Sequence, residues 1–262
     1  MSELRNKVNE LFTNGEIELF IGYEAGTRLP RPFFARSGED AKQLIFDDTC
    51  TGNLAVYLTR KDLIENKKTG IAASYYALKS IAQLYAENQI KENLVKIIGL
   101  SEDGKLIDFS SVEEISNYLK SASQPTKEKD DEWIEKIDAM SAKERWEYWT
   151  NELSKCFKCY ACRSACPMCY CTKCIVEVNR PQWIQPWAAT LSNMEWQINR
   201  VMHMAGRCSD CGSCSAACPL GLPIHLLTHK MAELVKSNFG EGNDSGNVLS
   251  TFTPNDKETF IL

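Results

Sequence analysis

Apolar and polar positions fall into short blocks over the first 120 residues. "IELFIGY" (17–23) reads as a strand. "GIAASYY", "ALKSIAQLYAENQI" and "NLVKIIGL" follow as strand, helix and strand, a succession that favours a parallel sheet. "GKLIDF" reads as a further strand, and "SSVEEISNYLKSA" opens with an S-x-x-E capping box ahead of a helix. The stretch 121–131, "SASQPTKEKDD", is polar, contains a proline and reads as a linker.

Beyond it the period turns helical. Ser141 and Glu144 form a second capping box before "AKERWEYWTNELSK". "TLSNMEWQINRVMHMAGR" places Leu191, Met194, Ile198, Val201 and Met202 three or four apart, with Gly206 near its end. "LPIHLLTHKMAELVKSNF" carries Pro223 in its first turn and Gly240 past its end. The predicted architecture is α+β. An α/β module spans 1–120, the linker 121–131, and a mainly α-helical module 132–240. The tail 241–262 is polar but punctuated by Leu249, Phe252, Phe260, Ile261 and Leu262, side chains suited to anchoring on a partner.

Composition narrows the class. A hydrophobic fraction of 44% and a charged fraction of 25% are those of a soluble globular protein. A net charge of -5 argues against nucleic-acid binding. "MSELRNKVNELF" is charged throughout and unlike a secretory leader, and no run reaches the ~20 apolar residues of a membrane span. The expected setting is the cytoplasm, where thiols stay reduced and dense cysteines indicate metal.

The cysteines carry the chemistry. Cys50 stands alone, and the other eleven lie between Cys156 and Cys218. Cys156, Cys159, Cys162 and Cys166, followed by Pro167, spell C-x2-C-x2-C-x3-C-P. Cys208, Cys211, Cys214 and Cys218, followed by Pro219, spell it again, each position 52 residues beyond its counterpart. This is the ferredoxin run for [4Fe–4S] clusters, in which the fourth cysteine ligates the other cluster. The spacing predicts one cluster on Cys156, Cys159, Cys162 and Cys218, and a second on Cys208, Cys211, Cys214 and Cys166. Zinc sites use separated CxxC pairs, and a disulfide scaffold does not suit a long cytosolic chain.

Cys169, Cys171, Cys174 and Cys50 are left over. Their number suits a third [4Fe–4S] cluster; a zinc ion on the same thiolates and free thiols are the alternatives. All six tryptophans lie between Trp133 and Trp196, which suits either an ordinary core or a shield around a cofactor. His225 and His229 share a helical face and read as packed or solvated in preference to metal ligands. "GEGNDSG" from Gly240 reads as a helix cap and turn, not a nucleotide loop. Lys155, Lys158, Arg163 and Lys173 flank the first run. They form either a solvated face or a set of charges that offsets anionic clusters and orients a partner.

The 41 residues between Cys166 and Cys208 and the helices around them set this apart from a small βαβ ferredoxin. The segment from about Cys156 to Phe239 resembles the dicluster ferredoxin modules of heterodisulfide-reductase-type subunits. "RPFFARSGEDAKQLIFDDTCTGNLAVYLTR", "ENQIKENLVKIIGL", "KCYACRSACPMCYCTKC" and "RPQW" resemble iron–sulfur subunits related to the beta subunit of deazaflavin-reducing hydrogenases and formate dehydrogenases. Such relatives often carry Lys-Gly-Cys-Asp where this chain has "SYYALKS". The resemblance implies an electron-transfer subunit of anaerobic metabolism. It would relay single electrons through its clusters between a flavin, hydrogenase or formate dehydrogenase partner and a second acceptor, within a complex of flavoprotein, hydrogenase, formate dehydrogenase or heterodisulfide-reductase-like subunits, without turning over a substrate itself. The alternative is a flavin (FAD) subunit with its own active centre in the N-terminal module.

Overall fold

A computed structural model of the chain describes residues 2–27, 29–47, 49–64, 67–91, 94–101, 105–125, 128–174, 181–182 and 184–240. The tail 241–262 lies outside the described residues. The first part is built from α1 (Ser2–Thr13), β1 (Leu19–Glu24), β2 (Arg31–Ala35), the one-turn α2 (Lys61–Ile64), β3 (Thr69–Ala73), α3 (Tyr75–Ala86), β4 (Val95–Leu100), β5 (Leu106–Phe109) and α4 (Val112–Ser121). Helices follow: α5 (Glu128–Asp138), α6 (Ala142–Ser154), α7 (Ala161–Ser164), α8 (Thr190–Met204), α9 (Ser213–Ala216) and α10 (Ile224–Phe239). The fold is α+β.

The sheet runs β2-β1-β3-β4-β5, with β1, β3 and β4 parallel and an antiparallel strand at each edge. The expected strand–helix–strand unit is β3–α3–β4. Strand β2 went unread because Pro32 breaks the strand pattern; on an edge strand its missing N–H leaves the ladder intact. Side chains alternate between two cores, as a pleated strand requires. Leu19, Ile21, Ile71 and Ile97 face α3, whereas Phe20, Ala72 and Ile98 face α1 through Leu4, Val8 and Leu11. Gly70 is where β3 passes Phe20: a Cβ there would sit 2.6 Å from the ring.

The core on the α3 side does not stop at the sheet. Met168 and Met204, from the two cysteine segments, are buried in it, and Cys50, Cys166, Cys169 and Cys208 pack against it. The stretch read as a linker is also shorter than its sequence suggests. Helix α5 begins at Glu128, where Glu128, Asp130 and Asp131 place negative charge in its first turn and favour helix over coil.

Polar contacts tie the sheet side to the second cysteine run. Ser80 Oγ, on α3, lies 2.8 Å from Ser209 Oγ and accepts from Asn53 Nδ2 at 2.8 Å. The Asn53 backbone N–H donates to Ser213 Oγ at 3.1 Å. Glu87, capping α3, accepts from Arg207 Nε at 2.7 Å, Arg207 Nη2 at 2.6 Å and Tyr170 Oη at 2.6 Å. Arg207 also stacks over the Tyr170 ring, 5.1 Å from its centroid. One carboxylate thus holds both cysteine segments against α3.

Burial pushes the Glu87 carboxyl up, but the hydrogen bonds from Arg207, Tyr170 and Gln83 outweigh it and hold the group below the ordinary value of 4.5. A depressed carboxylate contributes stability above its unfolded pKa and loses it as pH falls through the folded one. Glu87→Gln is therefore expected to cost about 2 kcal/mol at neutral pH. Denaturant titration should also find less loss of stability below pH 4.5 in the variant than in the native chain.

Candidate metal centre

The two cysteine runs fold as copies of one loop. Lys158 and Tyr160 in the first, and Asp210 and Gly212 in the second, all have positive φ, from 56° to 72°. Three of these four are not glycine, so the left-handed backbone is held against a local cost of about 1 kcal/mol or more each. It turns amides inward: the Lys158 N–H donates to Cys156 Sγ and the Asp210 N–H to Cys208 Sγ, both at 3.3 Å. Tyr160 and Gly212 then cap the matching one-turn helices α7 and α9, which carry Cys162 and Cys214.

The fourth cysteine of each run lies with the opposite run. A narrow cavity is lined by Cys156, Cys159, Cys162 and Cys218, closed by Tyr160, Trp196 and Leu222. Cys166 acts on Cys208 and Cys214, and its Sγ sits 3.7 Å from Met204 Sδ. Burial raises the thiols of Cys156, Cys162 and Cys214 and pushes Cys208 up to about 12. Thiols in such surroundings stay protonated unless a metal takes the proton's place.

Helix α8 supplies the test of fit. Its expected apolar stripe is split: Met194 and Val201 are buried, but Leu191, Ile198 and Met202 are exposed at 69%, 45% and 63%. The face turned inward carries Asn193, Trp196, Gln197 and Arg200 instead. Trp196 Nε1, Gln197 Nε2 and Arg200 Nε and Nη1 are buried with no hydrogen-bond acceptor. Gln197 faces Cys162 and Arg200 faces Cys214. Orphaned donors are costly beside apolar groups but suit cluster and cysteine sulfurs, which accept N–H bonds. The residues present fit [4Fe–4S] groups on these eight cysteines.

Asn193 joins α8 to the first run. Its Nδ2 donates to the carbonyls of Leu153 at 3.1 Å, Ser154 at 3.5 Å and Cys156 at 2.7 Å, closing the C-terminus of α6 where the loop begins. Lys158, one of the four flanking cations, is itself buried and donates to the Gln185 carbonyl. Lys155 pairs with Glu152 at the surface, Arg163 donates to the Cys171 carbonyl, and Lys173 is exposed. Among the tryptophans, Trp196 is buried and stacked edge-on with Tyr160, whereas Trp133, Trp146 and Trp187 are exposed. The histidines are engaged separately, His225 with Ser215 and Asp130 and His229 with Asp210.

The four remaining thiols are dispersed. Cys169 receives the thiol hydrogen of Cys166, which holds Cys166 up and Cys169 down, and it also feels Cys174. Cys171 is exposed beside Arg207 and Tyr170. Cys50 faces Asp47, whose N–H donates to its Sγ at 3.4 Å, and it shares Tyr23 as a neighbour with Cys211. Among the described residues, no three His, Cys, Asp or Glu side chains converge on a metal-ion site. A separate cleft of about 570 Å³ lies between α3, α4 and α10 and reaches Arg207, Cys208 and Asp210. Sequence reasoning missed Asn193, Gln197 and Arg200, because their signal is a polar stripe with no motif, whereas Trp196 fell within the tryptophan group read as either core or cofactor shield.

Comparison with known proteins agrees with this geometry. Residues 152–222 match the family described as a 4Fe-4S dicluster domain, a span that contains both runs. The chain is also 32% identical, over 79 residues, to the F420-dependent formate dehydrogenase subunit beta of Methanocaldococcus jannaschii. That stretch covers 30% of this chain and 20% of the relative, so the chain spans well under two thirds of it. No described helix is long and apolar enough to cross a membrane.

Asn193→Asp keeps the shape of the side chain but replaces its donor with a carboxylate facing three carbonyl oxygens. It is expected to destabilise the chain by about 2 kcal/mol or more and to exceed Asn193→Ala in effect. Thermal melting of the two variants checks the order; an Asn193→Asp chain as stable as the native one contradicts it.

Proposed function

We propose that this chain is an iron–sulfur electron-transfer subunit of a multi-subunit oxidoreductase, with two [4Fe–4S] clusters held crosswise by its repeated cysteine runs. The observation that carries this is the exchange of fourth ligands: Cys218 lines the cavity of the first run, and Cys166 acts on Cys208 and Cys214 of the second. Clusters of this type supply single-electron transfer at potentials set by burial, hydrogen bonds and net charge.

The chain's own residues divide the work. Gln197 and Arg200 present N–H groups toward Cys162 and Cys214, and Tyr160, Trp196 and Leu222 close the first site against water. Cys159 is exposed beside the exposed side chains of Phe157 and Leu220, which makes the first site the natural point of exchange with a partner. The second site is enclosed by the sheet, α8 and the Ser80–Ser209 contact.

The partner class is a flavoprotein, hydrogenase, formate dehydrogenase or heterodisulfide-reductase-like subunit, in the cytoplasm of an anaerobic metabolism. The name of the Methanocaldococcus relative supports a formate-oxidising or deazaflavin-linked assembly. The tail 241–262 is proposed as a docking segment for that assembly. A second reading, a flavin subunit with its own active centre, is favoured by the cleft beside Cys208. Its volume is within the range of small-molecule sites. Flavin extracted from the purified chain, or quenching of FAD fluorescence on titration, would favour that reading.

Cys50, Cys169, Cys171 and Cys174 are proposed as the ligands of a third cluster that forms when metal draws them together. Anaerobically loaded protein is expected to hold about twelve irons per chain if three clusters assemble, and about eight if only the crossed pair does. About eight irons with one zinc would assign the third set to a structural ion. The crossing has its own test. Cys218→Ser should alter the same EPR signal as Cys159→Ser, and Cys166→Ser the same signal as Cys211→Ser. Pairing of Cys218 with Cys211 instead would refute the crossed arrangement.

A further inference from the structure

The two-cluster reading leaves Arg200 without a stated role. Its side chain is 3% exposed, in a site where an uncompensated charge is costly. Nη2 donates to the Cys162 carbonyl at 3.4 Å, while Nε and Nη1 have no acceptor. Cys162 and Cys214, one from each run, pack in a single cluster at this point, with Cys166 and Cys169 also among the neighbours of Arg200. Cys162 belongs to the first ligand set, and Cys214 and Cys166 to the second. The guanidinium therefore stands where the two sets meet.

This position is unfavourable for the metal-free chain. The guanidinium is buried with one backbone carbonyl as acceptor for Nη2 and none for Nε and Nη1, which offers a cation little compensation. Thiolate-ligated clusters are anionic, and each one-electron reduction adds a further negative charge. A fixed cation in a low-dielectric interior stabilises the reduced form more than the oxidised form. Two neighbouring clusters also repel each other's electrons, so a cation between them eases the second reduction as well as the first. Arginine suits the place because its rigid fork of five donors can reach sulfurs on both sides without losing its proton.

We propose that Arg200 is a redox-positioning residue shared by the two clusters, directing N–H groups of one guanidinium at both and raising both of their potentials. This rests on the two-cluster reading. Gln197, one turn earlier and facing Cys162, adds a neutral donor to the first site alone. Arg200 is the element common to both.

The test uses the full chain, loaded anaerobically, as native protein, Arg200→Gln and Arg200→Lys. Iron is counted first, and the clusters are then titrated with a reductant while EPR is recorded. In Arg200→Gln the equilibrium constant for reducing each cluster is expected to fall about tenfold or more, ~59 mV for a one-electron couple. Arg200→Lys keeps the charge and should show the smaller fall. Native protein that binds no iron–sulfur cluster would sink the two-cluster reading itself. Loaded Arg200→Gln in which neither potential falls, or only one does, overturns the shared role. An equal fall in Arg200→Lys removes charge as the cause and overturns it too. If Arg200→Gln takes up no iron, loading is repeated with Arg200→Met, which also lacks the charge. If Arg200→Met loads, it is read by the same criteria; if neither loads, the residue serves assembly and the tuning role is overturned.

Discussion

The structure depends on the burial of a polar helix face. An amphipathic helix normally turns its apolar stripe inward. Helix α8 turns Asn193, Gln197 and Arg200 inward and leaves Leu191, Ile198 and Met202 exposed. Met194, Trp196, Val201 and Met204 are buried by that choice, but Leu191, Ile198 and Met202 give up burial to make it, and three polar side chains are taken out of water. The compensation must come from what the polar groups meet. Asn193 meets the carbonyls at the end of α6, and Gln197 and Arg200 meet the cysteines. The helix is oriented by the groups its polar face meets as well as by apolar burial, and α6 and α10 pack against it.

The sheet serves the same site from the other side. Met168 and Met204 enter its core, so the two cysteine segments are anchored to α3 by apolar burial as well as by Glu87, Ser80 and Asn53. Electron transfer between clusters needs fixed separation, and a shared core holds that separation better than a flexible junction would. Breaking the Glu87 contacts would therefore be felt at Tyr170 and Arg207 together, although they are far apart in sequence.

What was legible in the chain was what is local. The two runs are read from spacing, β3–α3–β4 from its change of period, and the Ser141 cap from the Ser141 and Glu144 pair, where the structure forms both reciprocal bonds. Strand β2 was hidden by Pro32, and only its edge position makes that residue acceptable. The face of α8 was misread because apolar periodicity assumes a protein-only core, and Leu191, Ile198 and Met202 satisfied the pattern on the wrong side. The partnership of Glu87 with Arg207 spans 120 positions and has no sequence signal at all. The orientation of Cys50 toward Asp47 belongs to the same class, since a lone thiol in a polar loop does not state its neighbour.

The repeat also shows how one loop can be given two characters. Backbone conformation is preserved between the copies, down to the inward amides of Lys158 and Asp210 and the left-handed Tyr160 and Gly212. What differs is what surrounds them. Lys158 buries an amine beside the first run, whereas its counterpart Asp210 places a carboxyl group, paired with His229, beside the second. Tyr160 adds a ring stacked on Trp196, while Gly212 supplies the left-handed backbone without a side chain, and its neighbour Ser213 accepts from the Asn53 N–H. A cation favours the reduced state of a neighbouring cluster and an anion opposes it. If Arg200 acts on both sites alike, any difference in their potentials must come from unshared neighbours such as Gln197, Lys158 and the Asp210–His229 pair.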